Sequence, residues 1–538
     1  MMNRIYRLIL AVAGLWLLAV APAQAETWRR ADTDNFILLS TGGEENLREW
    51  ALKFERFDAL MRLRYRIPPT PSPNRLTIYI LGDSRDVMEA MAGRKYGGVA
   101  GYYSNQLDGS YAVTQRTVAR RGELSGQEVM FHEYGHHFMY RYFPYAYPGW
   151  YREGFAEYYA TTEFDEDGNW TYGKPPLYRG STLTGIQRQI SVEKMLTRPQ
   201  SELSDFESYQ VYTRGWLLVH MLHSDRERGR QLNDFLLRLG RGEDRASAAV
   251  AAFGDLDELE RDLKKYMGKS PTYIRGREPI AYDGRLDIVE LDDVDSEFES
   301  LRLANRRATG REKTSERLQD LAEKAPDRVH IWNEIAHAQK LLARRDAWRL
   351  AYEEARENGL DRDDAEPGSI EMGYALATIE KALALDPDNG RANALKAEFL
   401  MDVARYNDED GFWPVAREHA VVANRVNPDN PFPLSLYWKS YAQAGEDIPD
   451  TARAALARAF ELAPESTILR VDYALDLAMQ GEFDRAKGIV EFLVASPHSE
   501  RRGKLALQQI EAIAAGSSYL EASEMKLDED EEDEDDDD

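Results

Sequence analysis

Apolar and polar positions follow two different rhythms along this chain. In the first half short apolar runs alternate with amphipathic stretches. Phe36-Ile37-Leu38-Leu39 and the β-branched Leu76-Thr77-Ile78-Tyr79-Ile80-Leu81 predict buried strands. Between them a charged amphipathic helix is expected from about Glu45 to Tyr65, ended by the proline-rich Ile67–Pro73. Gly98–Tyr103 and Gly109–Thr114 predict two more strands around a polar turn, and helices follow. The second half is Ala- and Leu-rich and helical, and it repeats. Leu385-Asp386-Pro387-Asp388-Asn389 returns as Val426-Asn427-Pro428-Asp429-Asn430, then as Leu462-Ala463-Pro464-Glu465 and Ala495-Ser496-Pro497. The prolines are 41, 36 and 33 residues apart, near the 34-residue period of helix–turn–helix repeats.

These rhythms predict a signal peptide over residues 1–25, an α+β domain over 26–268, a charged connector over 269–314, and helical repeats over 315–516. Arg4 and Arg7 precede an apolar Leu8–Val20 and a small-residue Ala23-Gln24-Ala25 site, so cleavage is expected before Glu26. The mature chain is then expected to be exported, to a bacterial periplasm, without stable membrane insertion. Residues 517–538 are read as a disordered acidic tail, because Asp528–Asp538 is an unbroken run of acids.

Composition narrows the chemistry. At 538 residues the chain is too long for one compact domain. A net charge of −26 argues against nucleic acid as a partner, which needs basic surface. There is no cysteine, which excludes disulfides, thiolate nucleophiles and Cys-ligated metals. Any metal must be held by carboxylates and the nine histidines.

One stretch answers that description. His132-Glu133-Tyr134-Gly135-His136 follows a capping pair, Ser125 and Glu128, so it should lie on a helix. Histidines four apart share a helix face and can bind one zinc ion. Glu133 projects about 100° round, beside the open coordination position. A third ligand is needed, and Glu153 can swing back on a second helix after the turn formers Pro144, Pro148 and Gly149. Glu157, one turn on, either orients His132 through its second ring nitrogen or is an ordinary solvated acid. His137 points about 100° away from His136 and is read as a supporting neighbour of the ligands or a surface residue, and His220 and His223 as packing or surface residues, none of them ligands.

H-E-x-x-H followed by Glu153-Gly154-Phe155-Ala156-Glu157-Tyr158 resembles the gluzincin metallopeptidases, the clan of thermolysin and the zinc aminopeptidases. The repeats resemble tetratricopeptide repeats. The resemblance implies an α+β zincin-like peptidase domain followed by an all-α tetratricopeptide-like solenoid. It implies Zn2+ on His132, His136 and Glu153, with Glu133 as general base. Tyr212-Thr213-Arg214-Gly215 is similar to the aminopeptidase Y-x-K-G segment, which implies that Tyr212 steadies the oxyanion, with Tyr209 as competitor. The acidic G-x-M-E-N segment has no counterpart in Gly109–Gln115, which turns the expectation from aminopeptidase to endopeptidase on an extended chain lying along that strand. The expected function is a zinc-dependent peptidase acting on protein or peptide, with a protein substrate or partner on the repeats. The alternative is an inactive peptidase-like scaffold whose repeats mediate protein–protein interaction, and hydrolysis of other acyl substrates stays open.

Overall fold

The computed structural model describes residues 26–527, apart from 97–98, 121, 144–146, 181–188, 270–271, 308, 362–364 and 496–498. The expected signal peptide, the acidic run Asp528–Asp538, Pro144 and Pro497 lie outside the described residues.

The first part is built on a mixed sheet. Its strands are β1 (Arg29–Thr33), β2 (Phe36–Ser40), β3 (Leu76–Leu81), β4 (Gly101–Ser104), β5 (Tyr111–Gln115) and a late strand, Leu286–Glu290. They lie in the order β4-β5-β3-β2-β1 and then the late strand. β2, β3 and β5 run parallel, and the other pairings are antiparallel. Helix α1 (Glu44–Tyr65) makes the β2-to-β3 crossover, and α2 (Ser84–Ala92) follows β3.

Both faces of the sheet are covered, which is why every residue of Leu76–Leu81 except the half-buried Thr77 is buried. Ile78 and Ile80 face one core with Trp50, Phe54 and Phe57 of α1, and with Phe131 and Phe138 of α3 (Gly126–Tyr142). The Phe57 and Phe131 rings stack 4.0 Å apart. Tyr79 and Leu81 face the other side, with Trp28, Val87 and Leu303. Beneath α3, Asp58 accepts bonds from Arg62 Nε and Tyr134 OH, both at 2.6 Å.

Further helices complete the first part: α4 (Gly149–Ala160), α5 (Val192–Thr197), α6 (Asp205–Ser224), α7 (Arg226–Leu239), α8 (Arg245–Phe253) and α9 (Leu256–Met267). A small antiparallel sheet joins β6 (Glu163–Phe164), β7 (Trp170–Tyr172) and β8 (Ile274–Arg275). Residues 269–314 are therefore not a connector. They supply β8 and the late strand, now β9, and then α10 (Asp293–Asn305), whose Ser296 and Ser300 accept bonds from Trp28. Arg29–Thr33 carries little apolar periodicity and Leu286–Glu290 is short and mostly exposed, and pairing across the chain makes them strands.

From α11 (Arg311–Lys324) onward the chain is a stack of helices: α12 (Val329–Glu357), α13 (Gly373–Leu385), α14 (Gly390–Tyr406), α15 (Phe412–Val426), α16 (Pro431–Ala442), α17 (Asp450–Leu462), α18 (Thr467–Met479), α19 (Phe483–Val494) and α20 (Glu500–Ala514). The protein is thus mostly helical, with a small mixed sheet and a helical-repeat region. The repeated phrase is a stop followed by a start. Asp386 and Asn427 are held extended before Pro387 and Pro428, and Ala463 likewise leaves the helical region before Pro464. Two residues after each proline, Asn389, Asn430 and Ser466 cap the next helix through their side chains. Disorder expected over 517–538 does not hold at its start, because α21 (Tyr519–Ser523) is helical and sets Tyr519 edge-on to Trp438. No helix among the described residues is long and apolar enough to cross a membrane.

Candidate metal centre

Two helices bring the site together. Helix α3 starts at the Ser125–Glu128 capping box and carries His132, Glu133 and His136. Helix α4 carries Glu153 and Glu157. The two approach closely because a Cβ on Gly135 would stand 3.3 Å from Ala156 Cα. Helix α4 meets α6 more tightly still: a Cβ on Gly154 would lie 2.5 Å from the Gly215 backbone. These glycines act as crossing points, a role that the motif reading did not assign to them.

At the crossing His132 Nε2 and His136 Nε2 are 3.1 Å apart. Glu153 Oε2 stands 3.3 Å from the first and 3.4 Å from the second. Four-coordinate zinc takes N and O donors at about 2.0–2.2 Å, which puts neighbouring donors about 3.3–3.6 Å apart. The three observed separations are close to that spacing. Glu153 Oε2 and His136 Nδ1 are buried without a hydrogen-bond partner among the described residues. The Glu153 contacts are thus at ion-pair distance without hydrogen-bond geometry, as expected of donors facing a common point. The residues present fit a zinc ion, with His132, His136 and Glu153 as its holders.

The electrostatics are those of a cation site. Burial disfavours a charged His132 ring, but the Glu153 carboxylate 3.3 Å away and the charges of Glu157 and Glu133 outweigh it and raise its pKa to about 9. Burial likewise opposes the Glu153 carboxylate, and the two histidines overcome it, holding its pKa well below the usual range. The Glu153 and Glu157 side chains are only 3% and 1% exposed. Two carboxylates so buried are costly without positive charge nearby.

Glu157 does not accept a hydrogen bond from His132. Its Oε1 stands 3.6 Å from His132 Nδ1, at ion-pair distance only. Its bonds come from Tyr178 OH at 2.6 Å and from Arg179 Nη2 at 3.0 Å and Nε at 3.2 Å. Those two residues lie in the 3-10 turn Leu177–Arg179, and the sequence reading missed them. The Pro175-Pro176 pair before them was the available signal for a rigid turn. The Arg179 guanidinium also lies 4.8 Å from the Tyr212 ring centre. The Tyr212 ring stacks 6.1 Å from His132, whereas Tyr209 is 47% exposed. The charge of Glu153, then burial, raises the Tyr212 pKa, so its phenol keeps its proton.

Glu133 is half-buried beside the site. Its negative charge contributes to raising the pKa values of His132, Tyr103 and Tyr212. His137 is buried and bonds Tyr103 OH at 3.0 Å through Nδ1. Burial, with Arg141 nearby, lowers its pKa to about 3. His220 bonds Tyr266 OH and the Thr272 carbonyl, each at 2.7 Å. His223 packs edge-on to Tyr158. β5 cannot take an extended chain along its edge, because β3 and β4 flank it; β4 is the outer strand.

Comparison with known proteins gives no family. No family model matches the chain, and no curated protein matches it. That overturns the assignment to the gluzincin clan drawn from the motifs. Among solved structures the chain is similar to the human IFIT1 dimer with PPP-AAAA, at 14% identity, covering 68% of this chain and 83% of that one, with a TM-score of 0.27. The site therefore stands on its own geometry.

Proposed function

We propose that the protein is a zinc-dependent hydrolase set into a helical-repeat protein, with the peptide bond as its substrate class. The observation that carries the reading is the convergence of His132, His136 and Glu153 at ligand spacing where α3 crosses α4, with the Glu153 carboxylate buried. When bound, zinc would supply a Lewis acid that polarises a carbonyl and acidifies water. Glu133 would take the proton from the attacking water and deliver it to the leaving amine. Tyr212, kept protonated by the charge of Glu153, would donate to the developing oxyanion. Glu157, itself held by Tyr178 and Arg179, would act on the His132 ring through its charge, 3.6 Å from Nδ1. β4, the outer strand beside α3, could pair with an extended substrate. Export to a periplasm belongs to this reading and rests on the N-terminal segment.

The test is zinc content and turnover together. Purified protein should carry about one zinc per chain and lose it in His132→Ala. Glu133→Gln should keep zinc and lose hydrolysis of a casein or peptide-library substrate. No stoichiometric zinc, or Glu133→Gln at the parent rate, would overturn the proposal. A second reading is a scaffold without turnover whose repeats bind protein. The length of the helical-repeat region, which extends from α11 to α20, favours it. Zinc bound without hydrolysis of any peptide in the library would select it.

A further inference from the structure

A groove of the repeats, lined by α12, α14 and α16, is partly occupied. The β4–β5 turn projects from the open edge of the sheet into it. Leu107 packs against two apolar clusters, one with Trp413, Phe432 and Leu436, the other with Trp438, Leu456 and Leu469. Arg391 Nη2 donates to Asp108 Oδ2 at 2.7 Å. Asn105 Nδ2 donates to the Glu465 carbonyl. Below the turn lies a charged floor, Lys340 on Glu398 at 2.7 Å and Arg344 on Asp402 at 2.6 Å. Arg306 Nη1 donates to Gln106 Oε1 at 3.4 Å, and a cavity of about 490 Å³ remains among these groups.

The root of the same hairpin reaches the metal centre. Tyr103 of β4 bonds His137, the neighbour of His136. The repeats hold the end of α3 as well. Tyr140, one turn beyond His136, stacks on that ring at 6.1 Å and meets Phe492 of α19 edge-on at 4.9 Å. Arg141 donates to the Leu462 carbonyl at 3.2 Å, and Arg152 of α4 reaches the Ala495 carbonyl. Three elements that carry or border the site are thus tied to the repeats.

We infer that the repeat array is an intramolecular clamp: its groove recognises an aliphatic–acidic turn, holds the chain's own Leu107-Asp108 there, and so sets the position of β4 beside the metal centre. Its effect on turnover rests on the hydrolase reading above, whereas the grip itself does not. An aliphatic side chain and a carboxylate on adjacent residues fit an apolar wall next to a guanidinium, and a loosened tip frees an outer strand that has a partner on one side only.

The test uses the full chain with Leu107→Ala, Arg391→Ala and the conservative Arg391→Lys. Hydrogen exchange read by mass spectrometry should speed up about tenfold over Gly101–Ser104 in both alanine variants, with β2 and β3 unchanged. Arg391→Lys, which keeps the charge, should recover most of the protection. Peptide hydrolysis should fall about tenfold in the alanine variants at unchanged zinc content. Parent-like exchange at 101–104 in both alanine variants would overturn the clamp. Faster exchange with parent-like hydrolysis, where Glu133→Gln is inactive, would overturn its control of the site. If the parent itself hydrolyses nothing, the hydrolase reading fails and the exchange result alone decides whether the groove holds the turn. An alanine variant that fails to fold is replaced by Asp108→Asn, with the same exchange result expected.

Discussion

Replacing Gly154 with alanine would test the helix crossing that aims Glu153 at the two histidines. The added Cβ would stand 2.5 Å from the Gly215 carbonyl carbon and oxygen, and 2.8 Å from Val219 Cγ2. Two of those atoms are backbone and cannot rotate away. Relief to an ordinary contact requires α4 and α6 to separate by about 1 Å. Overpacking of this kind costs about 1–3 kcal/mol. Alanine returns up to about 1 kcal/mol through its better helix propensity. Two backbone atoms at 2.5 Å put the cost at the upper end of that range, so the net loss should be about 2 kcal/mol, a fall of roughly 4–8 °C in Tm for a domain of this size. Metal binding should suffer more, because ligand distances tolerate only about 0.2 Å. Zinc affinity should drop about 10–100-fold, as when the groups supporting a ligand are lost. The assay is calorimetry of EDTA-treated protein together with zinc competition against a chromophoric chelator. Gly488→Ala is the control: its Cβ would meet nothing within 4 Å in a helix, so it should be neutral or slightly stabilising. Parent-like Tm and zinc affinity in Gly154→Ala would refute the crossing argument.

Other consequences can be measured on the same preparations. In metal-free protein the raised His132 pKa, about 9 against an ordinary 6.5, adds stability that is complete below pH 6.5 and lost as pH rises through 9. The lowered Glu153 pKa adds stability that is present above pH 4.5 and lost as pH falls through its folded value. Urea denaturation of EDTA-treated protein should therefore show a loss between pH 6.5 and 9 that His132→Gln lacks. Arg62→Ala strands the buried Asp58 beneath Tyr134 and should cost about 3–5 kcal/mol; an unchanged urea midpoint would count against the Asp58 network. Arg179→Leu removes two of the bonds to Glu157 and should weaken zinc binding about 10-fold or more without unfolding the chain; unchanged affinity would mean that Glu157 does not act on His132.

Much of this protein was legible along the chain, wherever the signal is local. Leu76–Leu81 is a strand because six apolar or β-branched residues in a row suit a two-sided core. The Ser125–Glu128 box and the i, i+4 histidines place two imidazoles on one helix face within a single turn of sequence. The Pro387, Pro428 and Pro464 phrases mark helix joints, since proline restricts its predecessor and the residue two places on can cap. What depended on tertiary structure was everything that needed two distant segments to meet. β1 shows almost no apolar pattern and β9 only a short one inside a charged stretch, and pairing across more than 250 residues makes them strands. Glu157 is served by Tyr178 and Arg179 instead of His132, because a turn that leaves no periodic trace folds over the site. Gly154 and Gly215 look like ordinary helix residues until the crossing shows that no Cβ fits between them. The groove of the repeats reads as free surface in sequence, yet the β4–β5 turn fills its mouth. Local pattern determines which elements form, because propensity and capping act within a turn or a strand. Close packing determines which side chains share a site, because only the assembled core brings donors within about 3 Å of one another.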